Sequence, residues 1–227
     1  MELELVANVM ELPFKTEFYK TLQMHWPTNG KVILHSSNIN VTDDTIILYQ
    51  AYNSSIAEYA VAHQTFSNCK DFSTNRMTWL KPNFCWMMYR SGWATKPNQE
   101  RILAITMKKV HFNEILMKSV STSKREIAAN SEGKGNQSAV VDVRLQWDPD
   151  HDPFGGKLER RAIQIGIRGK ALDIFLTQQI LSICDITDFV REQSKNVESE
   201  RLDFLCVPAE CVYTIDDELL RNHIKLD

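Results

Sequence analysis

The chain has 227 residues, 43% hydrophobic and 24% charged, with a formal net charge of -3, values that favour one compact domain with a substantial core and exclude a disordered chain. No apolar run approaches the roughly 18 residues of a transmembrane helix, and the opening Met1-Glu-Leu-Glu-Leu5 is acidic where a secretory signal is basic, so an intracellular protein, cytoplasmic or nuclear, with no membrane association is expected. Five cysteines without a C-x-x-C pair give neither a disulfide framework nor a thiolate zinc site, so reduced, mostly buried thiols are expected.

In chain order, residues 1–40 carry a weak amphipathic pattern around Leu12, Phe14, Phe18 and Leu22, broken by a turn at Trp26-Pro-Thr-Asn-Gly30, and read as an extension packed on the domain. Residues 32–34 and 45–49 are branched and apolar and predict short strands; Asn53-Ser-Ser55 offers an N-cap to a helix carrying Ile56, Tyr59, Ala60 and His63, with Gln50, Ala51 and Tyr52 at the turn between. Residues 72–74 and 77–80 read as extended. Pro82 suits a first helical position, and 84–91 can form a short helix closed by Gly92. A buried strand at 101–107 and a helix through Phe112, Ile115 and Leu116 follow. Residues 119–138, dominated by Ser, Lys, Asn, Gly and Glu, read as an exposed loop. Strands are predicted at 140–147 and 161–167, separated by a turn-rich segment at 148–156, then a helix from Gly169 continuing through Ile183 and closing at 185–188. Residues 191–227 read as a tail with one or two edge strands and a short final helix. The resulting class is α+β: a single domain, core at 41–190, with a mixed or antiparallel sheet of short strands flanked by helices.

The densest feature is Arg76-Met-Thr-Trp-Leu-Lys-Pro-Asn-Phe-Cys-Trp-Met-Met-Tyr-Arg-Ser-Gly-Trp93. Helical spacing sends Phe84, Met87, Met88 and Ser91 to one face and Trp86, Tyr89, Arg90 and Trp93 to the other, the second face forming an aromatic and cationic platform. Around it, residues 70–125 contain eleven lysines or arginines against three acids, a local net of +8 in an otherwise acidic chain. Such a basic centre suits a nucleotide or nucleic acid partner, with Arg76, Lys81 and Arg90 gripping phosphates.

Other constellations are weaker. Asp148, Asp150, His151 and Asp152 carry metal-type ligands in a proline-flanked turn, and no Gly-rich phosphate loop, G-x-S-x-G or H-E-x-x-H pattern occurs. Gln50, Thr78, Gln146 and Gln164 sit on apolar strands, where an unpaired amide costs about 1–3 kcal/mol, so a specific partner or ligand is expected for at least one of them.

Tyr49-Gln-Ala-Tyr52, the 76–93 block, Gln99-Glu-Arg-Ile-Leu-Ala-Ile105, Val143-Arg-Leu-Gln-Trp-Asp-Pro149 and Arg161-Ala-Ile-Gln-Ile-Gly166 closely resemble the signature blocks of domain-of-unknown-function family 4291 over residues 45–187. A second, fold-level resemblance is to the ADP-ribosyltransferase superfamily. It implies NAD as ligand, no metal, and Gln50, Thr78 or Tyr89, and Gln164 in the three strand-borne catalytic roles. Tyr52, Arg76, Trp79, Lys81, Trp86, Arg90 and Gln146 would then contact the cofactor. Gln164 stands where the commonest pattern has glutamate, which turns attention to nucleic acid as acceptor. The alternatives are a non-catalytic single-stranded nucleic acid or RNA binder whose tryptophans stack bases, and a metal-dependent nucleic-acid-processing enzyme using Asp148 and Asp152.

Overall fold

Thr45-Ile-Ile-Leu-Tyr49 has the branched apolar content that suits a strand buried on both faces, and in the computed structural model, which describes residues 12–41, 44–121 and 141–226, it becomes the edge of the central sheet. The elements in order are β1 (Thr16–Phe18), α1 (Tyr19–Gln23), β2 (Leu34–His35), β3 (Thr45–Tyr52), α2 (Ser54–His63), β4 (Thr78–Leu80), α3 (Phe84–Ser91), β5 (Arg101–Lys108) and α4 (Lys109–Met117). They continue with β6 (Val120–Ser121), β7 (Val143–His151), β8 (Lys157–Ile167), α5 (Gly169–Ile174), a π-helical turn Phe175–Gln179, β9 (Ile180–Asp185), α6 (Thr187–Glu198), a 3-10 turn Leu202–Phe204, β10 (Cys206–Pro208), β11 (Cys211–Val212) and α7 (Glu218–Ile224).

β3, β5 and β9 form an antiparallel three-stranded sheet, and β4, β8, β7 and β6 a mixed four-stranded one in which only β6 runs parallel to its neighbour. The edge strands β3 and β4 meet at one point, where the Tyr49 N–H donates to the Lys81 carbonyl at 2.7 Å. On one side of that bridge the gap is filled by residues 30–36, hydrogen-bonded to β8 through Arg161 and to β3 through Ile47. On the other side the strands part. This is an α+β domain whose two sheets are joined by one backbone bridge among the described residues, and the split beyond it holds a cavity.

Alternate residues of β3 and β5 feed two apolar layers. Ile46, Leu48, Leu103 and Ile105 join the layer containing Ile56 and Ala60 of α2, Phe112 of α4 and the apolar face of β8. Ile47, Tyr49, Ile102 and Ala104 join Phe84, Met87 and Met88 of α3 and Val190 of α6. With both faces covered, the sheet is a rigid floor for whatever lies at its edge.

Several expectations need correcting. β3 runs through Tyr52 because it stays paired with β5 as far as Tyr52 opposite Arg101, so Gln50 and Tyr52 are strand residues and not turn residues. Residues 72–74 bend, with the Phe72 ring beside Phe66 and Tyr52. Helix α3 starts after Pro82, with Asn83 at the N-cap making no side-chain cap bond; the Phe84 N–H is satisfied instead by Glu210 Oε1 at 2.6 Å. β7 continues to His151 past a bulge near Pro149, so Asp148 is on the strand, and the turn is made by Asp152, whose Oδ1 accepts from the Phe154 and Gly156 N–H groups. The helix from Gly169 stops at a π-turn, and 180–185 pair with β5 as a strand. Helix α6 follows, its first residue Thr187 donating its N–H to Asp185 Oδ1 at 2.9 Å. Of the loop expected at 119–138, Val120–Ser121 is a short strand, while 122–138 lie outside the described residues, as do residue 140 and the acidic opening. Among the described residues no helix is long and apolar enough to cross a membrane, and the five cysteines carry no disulfide.

Candidate functional site

The cavity at the split has a volume of about 730 Å³. β3 supplies Gln50, Ala51 and Tyr52; β4 and the residues around it supply Arg76, Met77, Thr78, Trp79 and Lys81; α3 supplies Trp86, Met87 and Arg90; β8 supplies Gln164. Thus Gln50, Thr78 and Gln164, assigned from three separate strands, face one cavity together with all three candidate phosphate-binding cations.

Gln50 is 3% exposed. Its amide nitrogen donates to the Trp79 carbonyl at 2.9 Å across the split, and its carbonyl oxygen accepts from the Tyr52 hydroxyl at 3.0 Å. These bonds hold β3 and β4 at a fixed separation and lock the amide. Burial raises the Tyr52 pKa, keeping the phenol neutral and donating. Asn53 closes β3 and caps α2, accepting from Ile56 N at 3.0 Å, so the cavity rim is tied to a helix start.

Gln164 is oriented from behind. Its amide nitrogen donates to Gln146 Oε1 at 2.9 Å and to Asp148 Oδ2, which leaves the carbonyl oxygen as its free group among the described residues. The neighbouring Asp148 explains why an amide suits this position: a second carboxylate would face the first. Gln146 therefore acts behind Gln164 and does not line the cavity. Two residues on, Gly166 lies opposite Trp79, and a Cβ there would come within 2.3 Å of Met77 Sδ, so the bare backbone makes room for the Met77 and Trp79 wall.

The electrostatics are lopsided. Asp71 is the one acid among the lining residues, against Arg76, Lys81 and Arg90. None of the three cations makes a salt bridge among the described residues. Lys81 is 6% exposed, its Nζ lies 5.3 Å from the Trp86 ring centroid, and its pKa is pushed down to about 7 by burial, with Arg90 adding to the effect and Asp148 opposing it.

The aromatic platform is not formed. Trp93 is buried against Phe84, its indole N–H donating to the Pro153 carbonyl at 3.0 Å, and Trp86 is 5% exposed with its N–H unpartnered among the described residues. Tyr89 is 40% exposed and points away from the cavity, stacked on the His151 ring at 3.6 Å. A helix packed between the sheet and the 151–156 turn buries residues on more than one face, which the two-face reading of α3 did not allow for. Trp79 is the tryptophan that stays partly exposed on the cavity wall. In the 148–152 cluster, Asp150 is paired with Arg160 at 2.6 Å and Asp152 holds its own turn. Among the described residues no group of three or more His, Cys, Asp or Glu is placed to hold a metal.

Sequence reading missed Asp71, which accepts from the Ser55 hydroxyl at the rim, and Asp148 as the partner of Gln164. Alternation along β7 put Gln146 and Asp148 on one face, and that was the only available signal. The chain belongs to the family described as Domain of unknown function (DUF4291), whose profile matches residues 38–213 and so includes every residue of the cavity. No curated protein matches the chain.

Proposed function

We propose that the cavity binds NAD and that the chain is an ADP-ribosyltransferase-like enzyme, with nucleic acid as the candidate acceptor. The observation that carries this reading is the meeting of Gln50, Thr78 and Gln164, from three strands, in one cavity with three cations that no carboxylate among the described residues pairs. Its volume lies within the roughly 300–1,000 Å³ of small-molecule sites. Arg76, Lys81 and Arg90 suit a pyrophosphate, and Trp79 offers a flat wall to a ring.

In the proposed reaction the bond between ribose C1′ and the nicotinamide nitrogen breaks, nicotinamide leaves with the bonding pair, and positive charge develops on the ribose. The Gln164 carbonyl oxygen, fixed by Gln146 and Asp148, presents the negative end of a dipole to that charge, and Asp148 behind it adds to the field. Gln50 cannot reorient without breaking two hydrogen bonds, so orientation at the site is set before the ligand arrives. The acceptor nucleophile then attacks C1′ and loses its proton.

Labelled NAD incubated with the protein and mixed RNA and DNA tests the reading. Nicotinamide release with label transferred to the nucleic acid supports it; no NAD binding by calorimetry at millimolar ligand removes it.

A further inference from the structure

We infer that Lys81 is a proton-linked anion seat: its amine takes up a proton as the phosphate of a pyrophosphate-bearing ligand arrives and gives it back when the ligand leaves. This rests on the nucleotide reading above and deepens it, by saying which group meets the charge and at what cost in protons.

Lys81 follows β4, and its backbone carbonyl is fixed to β3 by the Tyr49 N–H. The side chain is almost fully buried, yet among the described residues its Nζ donates no hydrogen bond and meets no carboxylate within salt-bridge distance; it lies 5.3 Å from the centroid of the Trp86 ring. A buried ammonium in that condition lacks what normally makes it tolerable. The charged and titratable groups around it sharpen the point. From α3, Arg90 repels it; from the segment before β4, Arg76 adds a second positive charge to the same cavity; from β7, Asp148 attracts it but is occupied by Gln164. From β3, Gln50 and the neutral Tyr52 phenol bring no charge, and the Asp71 carboxylate at the rim is engaged by Ser55. The amine is therefore largely neutral above pH 7 in the empty cavity. A bound phosphate supplies the missing acceptor and offsets Arg90 and Arg76, so the charged form becomes the stable one. The arginines keep their protons throughout and contribute charge without pH dependence.

The test is calorimetric titration of the full chain with inorganic pyrophosphate and, separately, ADP, each in two buffers of different ionisation enthalpy at pH 6 and pH 8. The expected result is uptake of about one proton per ligand at pH 8 and almost none at pH 6. Lys81→Met should abolish the uptake and weaken binding about thirtyfold, while Lys81→Arg should keep most of the affinity and abolish the uptake, since arginine is always charged. Circular dichroism of both variants guards against misfolding. Uptake absent from the wild type at pH 8, uptake that persists in Lys81→Met, or no binding of either probe would overturn the seat. NAD titrated alongside separates the two ideas. Pyrophosphate binding with uptake but no NAD binding leaves the seat standing and refutes the NAD reading; NAD binding indifferent to Lys81 and without uptake does the reverse.

Discussion

Arg160 and Lys81 are buried to the same extent, 6% exposed, and each lies 5.3 Å from a tryptophan ring centroid, Trp26 for one and Trp86 for the other. Their surroundings differ. Arg160 Nε meets Asp150 Oδ2 at 2.6 Å, and its guanidinium also donates to the Pro27 carbonyl, whereas Lys81 faces an open cavity with like charge beside it. The first cation is matched by the fold and ties β8 to the chain before β2; the second has no carboxylate within salt-bridge distance among the described residues, and under the proposed reading the phosphate of a ligand would match it. Burial and aromatic contact are shared by the two cations; the paired carboxylate is what marks Arg160 as structural, and its absence beside Lys81 is what the proposed binding role rests on.

The largest expected effect comes from the matched cation. Arg160→Met leaves Asp150 buried without its partner and should cost about 3–5 kcal/mol in chemical denaturation; a loss below 1 kcal/mol would show the pair to be dispensable. Gln164→Glu sets a second carboxylate against Asp148 and should cost about 1–3 kcal/mol at neutral pH, with much of the loss recovered in mild acid as one of the two protonates. Lys81→Met should go the other way, stabilising the fold by about 0.5–2 kcal/mol while weakening ligand binding; a clear loss of stability would mean that the amine is structural after all.

The gentlest lever is pH, and here the signs oppose. Glu210, raised to about 8 chiefly by burial, stays protonated in the fold while the unfolded chain ionises, so its contribution is fully present in acid and declines as pH rises towards 8. Lys81, lowered to about 7, is more easily protonated in the unfolded chain, so its penalty applies below pH 7 and is relieved between pH 7 and 10.5. Stability curves for Glu210→Gln should lose the fall below pH 8, and those for Lys81→Met the rise above pH 7; an unchanged slope in either variant would contradict the corresponding environment.

What was legible in the sequence was whatever had a local cause. The branched run of β3, the Asn53 cap and the αL Gly92 that ends α3 are set by a few neighbouring residues, and all three are where the chain suggests them. The helix expected from Gly169 through Ile183 ends early: the π-turn at 175–179 and the pairing with β5 make 180–185 a strand. Four site candidates, Gln50, Thr78, Gln146 and Gln164, came from apolar strands carrying single polar residues, and Gln50, Thr78 and Gln164 do line one cavity. Tyr89 and Gln146 do not, because the His151 stack and the Gln164 hydrogen bond depend on strands brought together by the fold. The cap on α3 by Glu210, 126 residues away from Phe84, had no local signal at all.

The most direct test is a crystal structure grown at saturating NAD. Ligand density in the split between β3 and β4, with the pyrophosphate against Arg76, Lys81 and Arg90 and the nicotinamide ribose beside Gln164, is the predicted result. A cavity that stays free of NAD at saturation, or NAD bound elsewhere on the chain, would contradict it.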